Sequence, residues 1–364
     1  IAAKGNVYWS FLGDLDDWKN TEHLITDYGV APYDWRLTLE EILGSGKKTG
    51  DHISYLAETD TPYIMSELRR LAATSKSGKV TLIAHSNGGL LAKALTDKLG
   101  TEAAALIDKI VFVAVPQSGT PQALGALLHG YDQGLPVDWF SFAMSQETAR
   151  TMAQNMPSGY NLLPSEEYFT GEGSGVKTPV ITFDSGDLTD DFIAKYGDKI
   201  DSHSELHDFL VDNDGKVAVS SSDTESPSQI NTGLLLYADN VKQMLDEWTP
   251  PTGVTVHQIA GFGEETLGTV KYWTGVKCKV SSGQFCLEYE PKLQYTPNQV
   301  VDGDGTVVAP SALAMSEGDN VSRWWVDLFR YDDDNHLQRK HADILEVSEL
   351  RDFIKENILT TITT

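Results

Sequence analysis

The sequence predicts an α/β protein with a mostly parallel, doubly wound sheet and an inserted cap. Three observations lead there. Apolar strand-like runs alternate with helical runs over residues 1–120, the order that builds a parallel sheet. One of those strands runs through a sharp turn with a serine at its tip straight into a helix. The rhythm then breaks over residues 121–250, and a sheet strand resumes after it.

The elements follow in order. Residues 8–18 read as a helix, and residues 30–36 as a short strand running into a loop. Residues 61–73 have helical periodicity. Residues 80–84 are a buried strand, and a helix starts at about Asn87. Leu90, Leu91, Ala94, Leu95 and Leu99 recur at helical spacing and give that helix one apolar face. Residues 109–115 are a continuous apolar run, as expected of a central parallel strand. Residues 121–250 are rich in polar and aromatic side chains with short helical patterns, and read as a cap or lid inserted between core segments 1–120 and 251–364. Residues 254–260 return to the sheet. Residues 272–289 read as strand, turn and strand, with the turn at Ser281-Ser282-Gly283. Residues 342–359 read as an amphipathic helix. There is no internal repeat and no low-complexity linker.

Composition narrows the function classes. The 364 residues, 40% of them apolar, suffice for one large core or a core plus a cap. The net charge of −25 argues against nucleic acid or an anionic membrane as a partner. The acidic residues are spread along the chain, as on a solvated surface. No apolar run approaches the roughly 20 residues of a membrane span. No signal peptide is visible, and a cleaved one leaves no trace. Two cysteines, Cys278 and Cys286, lie within the strand-turn-strand pattern. Facing each other across a hairpin, they would form a disulfide. Two unrelated thiols are the alternative, and neither has metal-ligand or redox spacing. A bridge points to an extracytoplasmic, secreted or cell-surface location.

The turn at Ser86 has the layout of a nucleophile elbow. A serine hydroxyl is a weak nucleophile and must be held out from the backbone towards a base. Small residues two positions either side suit the strained turn, here Ala84 and Gly88, with alanine replacing the usual glycine. The first N–H groups of the following helix, Asn87's above all, would face a developing oxyanion. An ordinary Ser-Gly loop is the plain alternative.

A triad then needs an acid and a histidine, in that order. Residues 300–308 present carboxylates from a Gly-rich loop after an apolar strand. Asp304 is the first choice and Asp302 the reserve, against a solvated turn or a calcium loop. His23, His52, His129, His203, His207 and His257 all precede the acid. His85 precedes the serine in the elbow, so its side chain is expected to point away from the catalytic face. Of the two that follow, His341 begins a helix after a polar loop. His336 sits beside Asp332-Asp333-Asp334 in what reads as a solvated loop.

Several segments now occur in a telling order. They are Tyr33-Asp34-Trp35-Arg36, the elbow from Ala84 to Gly88, residues 157–169 around Tyr160-Asn161-Leu162-Leu163-Pro164, residues 302–307, and His341-Ala342-Asp343-Ile344-Leu345. Together they resemble the lecithin:cholesterol acyltransferase family of the α/β-hydrolase superfamily, which includes lysosomal phospholipase A2 and many bacterial homologues. Val115-Pro116-Gln117-Ser118-Gly119-Thr120-Pro121 resembles that family's segment after the next strand. The resemblance spans residues 8–345. It implies an α/β-hydrolase fold, with Ser86 as nucleophile, Asp304 as acid and His341 as base. It also implies a site shaped or supported by Asp34-Trp35-Arg36.

Two further departures from that family accompany Ala84. No strand with a Pro-Gly loop precedes the first helix, so the second oxyanion donor is expected from an upstream segment or another chain. Gly13-Asp14-Leu15 is a weaker substitute. Asn87 stands where the family usually has methionine.

The expected chemistry is acyl transfer through an acyl-serine on a lipid, phospholipid or other carboxylic ester. Water as acceptor makes an esterase or lipase, and a lipid hydroxyl makes an acyltransferase. A non-catalytic binding relative is the competing class. Trp35, Trp139 and Phe140 are the candidate substrate-binding residues. The last two sit with Leu135, Phe142 and Met144 in the cap, where a lipid-binding surface and ordinary cap core are equally good readings. Transient contact with a lipid surface fits the same reading. No cofactor or metal is expected. Asp212-Asn213-Asp214-Gly215 starts like a calcium loop, but Lys216 falls at its fifth position and the segment reads as a turn.

Overall fold

The computed structural model describes residues 7–50, 52–132, 145–171, 178–282 and 284–360. The chain first makes a small antiparallel hairpin, β1 (Lys47–Thr49) with β2 (His52–Ser54). It then lays down β3 (Val80–His85) and β4 (Ile107–Val113). β5 (Ile181–Phe183) and β6 (Lys199–Ile200) follow, then β7 (Thr255–Phe262). A long hairpin, β8 (Thr266–Ser282) and β9 (Phe285–Val300), precedes β10 (Val321–Asp327).

The main sheet has the order β10-β7-β4-β3, and every neighbouring pair in it is parallel. Parallel strands bury both faces, and the alternation of side chains sorts them into two layers. From β3, Val80, Leu82 and Ala84 join Ile110, Phe112 and Val256. They pack on Leu90, Leu91, Ala94 and Leu95 of the helix Asn87–Leu99 and on the helices Leu39–Ser45 and Tyr63–Thr74. On the other face, Ile83, Val111, Val113 and Ile259 meet Phe11 and Trp18 of the helix Trp9–Asn20. Ile344, Leu345, Leu350, Ile354 and Ile358 of the C-terminal segment complete that layer. Each fully buried side chain, such as Ile110 or Phe112, contributes about 1.5–3 kcal/mol. The molecule is thus a mixed α/β fold with a parallel, doubly wound central sheet, as the alternation of apolar runs predicts.

A smaller sheet, β6-β5-β8-β9, draws its strands from both sides of residue 250. β5 pairs with β8 in parallel, and the other pairs are antiparallel. Phe183, Phe192, Phe209 and Tyr272 cluster in its core. Cys278 and Cys286 are joined by a disulfide with Cα atoms 5.6 Å apart. The hairpin is longer at both ends than the strand-turn-strand pattern of residues 272–289.

Two sequence-based expectations are corrected here. Residues 30–36 form no strand. Pro32 lacks an N–H for a ladder, and the Asp34 carboxylate turns the chain by accepting the Arg36 N–H at 3.1 Å and its guanidinium at 2.6 and 2.8 Å. Residues 342–359 are not one helix. A 3-10 turn His341–Glu346 leads through extended Val347 to an α-helix Ser348–Phe353 and a π turn Ile354–Leu359. The apolar periodicity survives because all three pieces press the same side chains onto the sheet.

Candidate active site

β3 ends at His85, and the helix begins at Asn87. Ser86 between them adopts φ 54° and ψ −133°. A non-glycine residue there stores roughly 1–3 kcal/mol of backbone strain. The turn is held at both sides. The Ser86 N–H donates to the Val113 carbonyl at 3.0 Å, and the Gly89 N–H donates to the Ser86 carbonyl at 2.9 Å. The position that demands glycine is Gly89 rather than Gly88. A Cβ on Gly89 would lie 2.3 Å from a Val115 methyl, whereas one on Gly88 would meet only the Tyr33 hydroxyl at 3.7 Å. Close approach of the helix to the segment just after β4 therefore sets the glycine requirement. Asn87 is the first residue of the helix, where backbone N–H groups have no intrahelical acceptor. Its side-chain amide meets the Tyr33 hydroxyl, whose pKa burial pushes up.

The candidate acid stands in the loop after β9. Asp304 is 1% exposed. One carboxylate oxygen, Oδ1, accepts from the Val307 and Thr306 N–H groups at 2.8 and 3.1 Å. The other, Oδ2, lies 2.8 Å from His341 Nδ1. His341 Nε2 lies 2.7 Å from Ser86 Oγ. The His341 N–H also donates to the Asp304 carbonyl at 2.7 Å, which fixes the two residues through backbone as well as side chain. Asp302, the reserve acid, is exposed. His336 is exposed too, in a left-handed conformation that ends the helix Leu328–Asn335.

His85 overturns its expectation. It faces the same layer as Ile83, the one that carries the C-terminal segment, and so lies against His341. His85 Nε2 is 2.8 Å from the His341 carbonyl, and Nδ1 is 2.8 Å from the Tyr8 hydroxyl. Burial, and then the charge of His341, push its pKa down to about 3. The ring is neutral, so one nitrogen donates and the other accepts. A carbonyl only accepts. Nε2 therefore carries the proton, and Nδ1 accepts from Tyr8. Strand alternation, combined with the apolar C-terminal segment, was the signal that could have found this contact.

The segment after β4 braces the acid loop. Thr120 Oγ1 donates to the Thr306 carbonyl at 2.6 Å, and the Thr120 N–H donates to the Leu162 carbonyl at 2.8 Å. Gln117 Nε2 reaches Gln258 Oε1 and the Ala312 carbonyl, both at 2.7 Å. Trp35 is exposed, in the turn tied by Asp34 and Arg36. Trp139 and Phe140, with Leu135, Phe142 and Met144, lie outside the described residues. Gly13-Asp14-Leu15 sits inside the helix Trp9–Asn20, where helix bonds engage its N–H groups, so it is no oxyanion loop. Among the described residues, no cluster of three or more His, Cys, Asp or Glu side chains is placed to hold a metal ion. The Asp212 carboxylate accepts from Lys195, Tyr196 and the Asp214 N–H.

Compared with known proteins, residues 28–347 match the family model of lecithin:cholesterol acyltransferase. The chain belongs to that family. The matched span contains Ser86, Asp304 and His341. The chain is similar to phospholipase A(1) LCAT3 of Arabidopsis thaliana, with 23% identity over 292 residues, covering 78% of this chain. It spans 63% of the length of that curated relative. Among solved structures it is similar to the crystal structure of the Tle4–Tli4 complex, at a TM-score of 0.44 and 15% identity. That likeness covers 79% of this chain and 64% of the other.

Proposed function

We propose that the protein is a serine enzyme acting on carboxylic ester bonds of lipids through an acyl-serine. The observation that carries the reading is the continuous bonded path from Ser86 Oγ through His341 to Asp304, at 2.7 and 2.8 Å, in a member of the lecithin:cholesterol acyltransferase family. His341 Nε2 takes the proton as Ser86 Oγ attacks the ester carbonyl. Asp304 Oδ2 holds the ring in the right tautomer and stabilises the imidazolium. Two backbone N–H groups on Asp304 Oδ1 stop the carboxylate from rotating away. The oxyanion is received at the N-terminus of the helix Asn87–Leu99, where free N–H groups and the helix dipole favour negative charge. The protonated base then returns its proton to the leaving alcohol, and an acceptor releases the acyl group.

Hydrolysis is the reading adopted, supported by the phospholipase A(1) name of the Arabidopsis relative. Transfer to a lipid hydroxyl uses the same acyl-serine and differs only in its acceptor. The Cys278–Cys286 bridge supports a place outside the cytosol. The test is labelling by a fluorophosphonate probe, with the modified residue mapped by mass spectrometry, beside fatty-acid release from phospholipid vesicles. Labelling at Ser86, and loss of turnover by several orders of magnitude in Ser86→Ala, are expected. A folded Ser86→Ala protein with near-native turnover ends the assignment. A parent protein that takes no label and releases no acyl chain returns the chain to the class of non-catalytic relatives.

A further inference from the structure

We infer that His85 and Tyr8 are positioning residues that clamp the backbone of the base. The inference rests on reading His341 as the base. Both polar backbone groups of His341 are engaged. Its N–H donates to the carbonyl of the acid Asp304 at 2.7 Å, and its C=O accepts from His85 Nε2 at 2.8 Å. His85 immediately precedes the nucleophile, so the base is pinned on one side to the acid and on the other to the elbow strand. The three reacting side chains share one rigid backbone frame although they come from distant parts of the chain. The His85 ring also stands beside the His341 ring, with centroids 5.0 Å apart, and blocks its drift towards β3.

Tyr8 sets the polarity of the clamp. Its hydroxyl donates to His85 Nδ1 at 2.8 Å and meets the ring edge-on, at 5.7 Å between centroids. With Nδ1 accepting, the proton must sit on Nε2, the nitrogen that faces the His341 carbonyl. Were the tautomer reversed, a lone pair would face that carbonyl and the clamp would become repulsive. The Tyr8 end is itself anchored to the base segment. Glu346 accepts from the Ser10 N–H at 2.9 Å and from Ser10 Oγ at 2.7 Å. Neither His85 nor Tyr8 touches Ser86 Oγ, so both act through His341.

The test compares His85→Leu, His85→Gln and Tyr8→Phe with the parent by fluorophosphonate labelling rate at Ser86, kcat and KM on a soluble ester, and melting temperature. A base displaced by about 1 Å loses up to roughly 100-fold in rate. His85→Leu is therefore expected to lose about 10- to 100-fold in kcat and in labelling rate, with KM little changed. His85→Gln keeps an amide donor for the carbonyl and an oxygen for Tyr8, and is expected to recover most of that loss. Tyr8→Phe is expected to fall in between, and still decides the matter if His85→Leu does not fold. Parent-like labelling and kcat in His85→Leu, or in Tyr8→Phe should the leucine variant not fold, overturn the inference alone. So does an equal loss in His85→Leu and His85→Gln that tracks melting temperature, which would mark mere support of the fold. A parent that is not labelled at Ser86 overturns the triad reading and this inference with it.

Discussion

Replacing Ser86, the proposed nucleophile, by glycine and by alanine separates strain from chemistry. Both substitutions remove Oγ and its bond to His341 Nε2, so that loss cancels in the comparison. Ser86 lies at φ 54° and ψ −133°, a region that a residue with a Cβ occupies at a cost of roughly 1–3 kcal/mol. Alanine keeps the cost and glycine escapes it. Glycine in turn loses about 0.4–1 kcal/mol through the greater freedom of the unfolded chain. The balance favours Ser86→Gly over Ser86→Ala by about 0.5–2 kcal/mol. Unfolding entropy near 2.1 cal/mol/K per residue over 364 residues converts this to a difference of roughly 1–3 °C in melting temperature. Scanning calorimetry of the two inactive proteins at one pH and scan rate reads it directly. If Ser86→Gly melts at or below Ser86→Ala, the elbow is not strained and the account of why the serine stands proud is wrong.

Three other outcomes are expected. Asp304→Asn should lower kcat by up to about 10,000-fold because it leaves His341 in the wrong tautomer, whereas exposed Asp302→Asn should stay within a few-fold; ester kinetics on both variants check the ranking. Burial holds Lys93 and Lys242 at about 8, below the ordinary value of 10.5. Between those two pH values the unfolded chain binds more protons than the folded one, so stability rises with pH across that window. Lys93→Met should flatten the rise, and a melting curve series in pH measures it. Reduction of Cys278–Cys286 should cost roughly 2–3 kcal/mol of stability, seen as a lower melting temperature in reductant. Activity at room temperature should hold, because the bridge lies far along β8 from Thr266, whose hydroxyl accepts the Gly305 N–H beside the acid at 2.8 Å.

Local pattern carried the parts of the molecule that local pattern builds. The unbroken apolar run of β4 and the periodic helix after Ser86 announce a parallel strand and a packed helix wherever they occur. The geometry brings together Ser86, Asp304 and His341, the three residues singled out by turn chemistry and chain order. What escaped was decided at a distance. Whether His85 faces His341 or turns from it depends on which layer the C-terminal segment joins, which strand alternation around residue 85 does not decide without the apolar pattern of that distant segment. The Tyr33 hydroxyl meets Asn87 from a segment that folds as a turn instead of a strand. The tight fit of Gly89 left no local signal, since the obstruction is Val115, a neighbour in space. β8 finds its parallel partner in β5, across a long interval of helices and loops that no periodicity spans.

The clasp between the first helix and the C-terminal segment bears on how the protein is made. Ser10 to Glu346, Asp14 to Arg351 and Glu22 to Lys355 each join residues more than 330 positions apart. A chain leaving the ribosome can present the elbow, the parallel strands and even the loop of Asp304 before His341 has been made. Its first helix then has nothing to grip, and Tyr8 has no clamp to orient. On the reading proposed above, ester chemistry needs the segment that carries His341 to be docked and both ends of the clasp to meet.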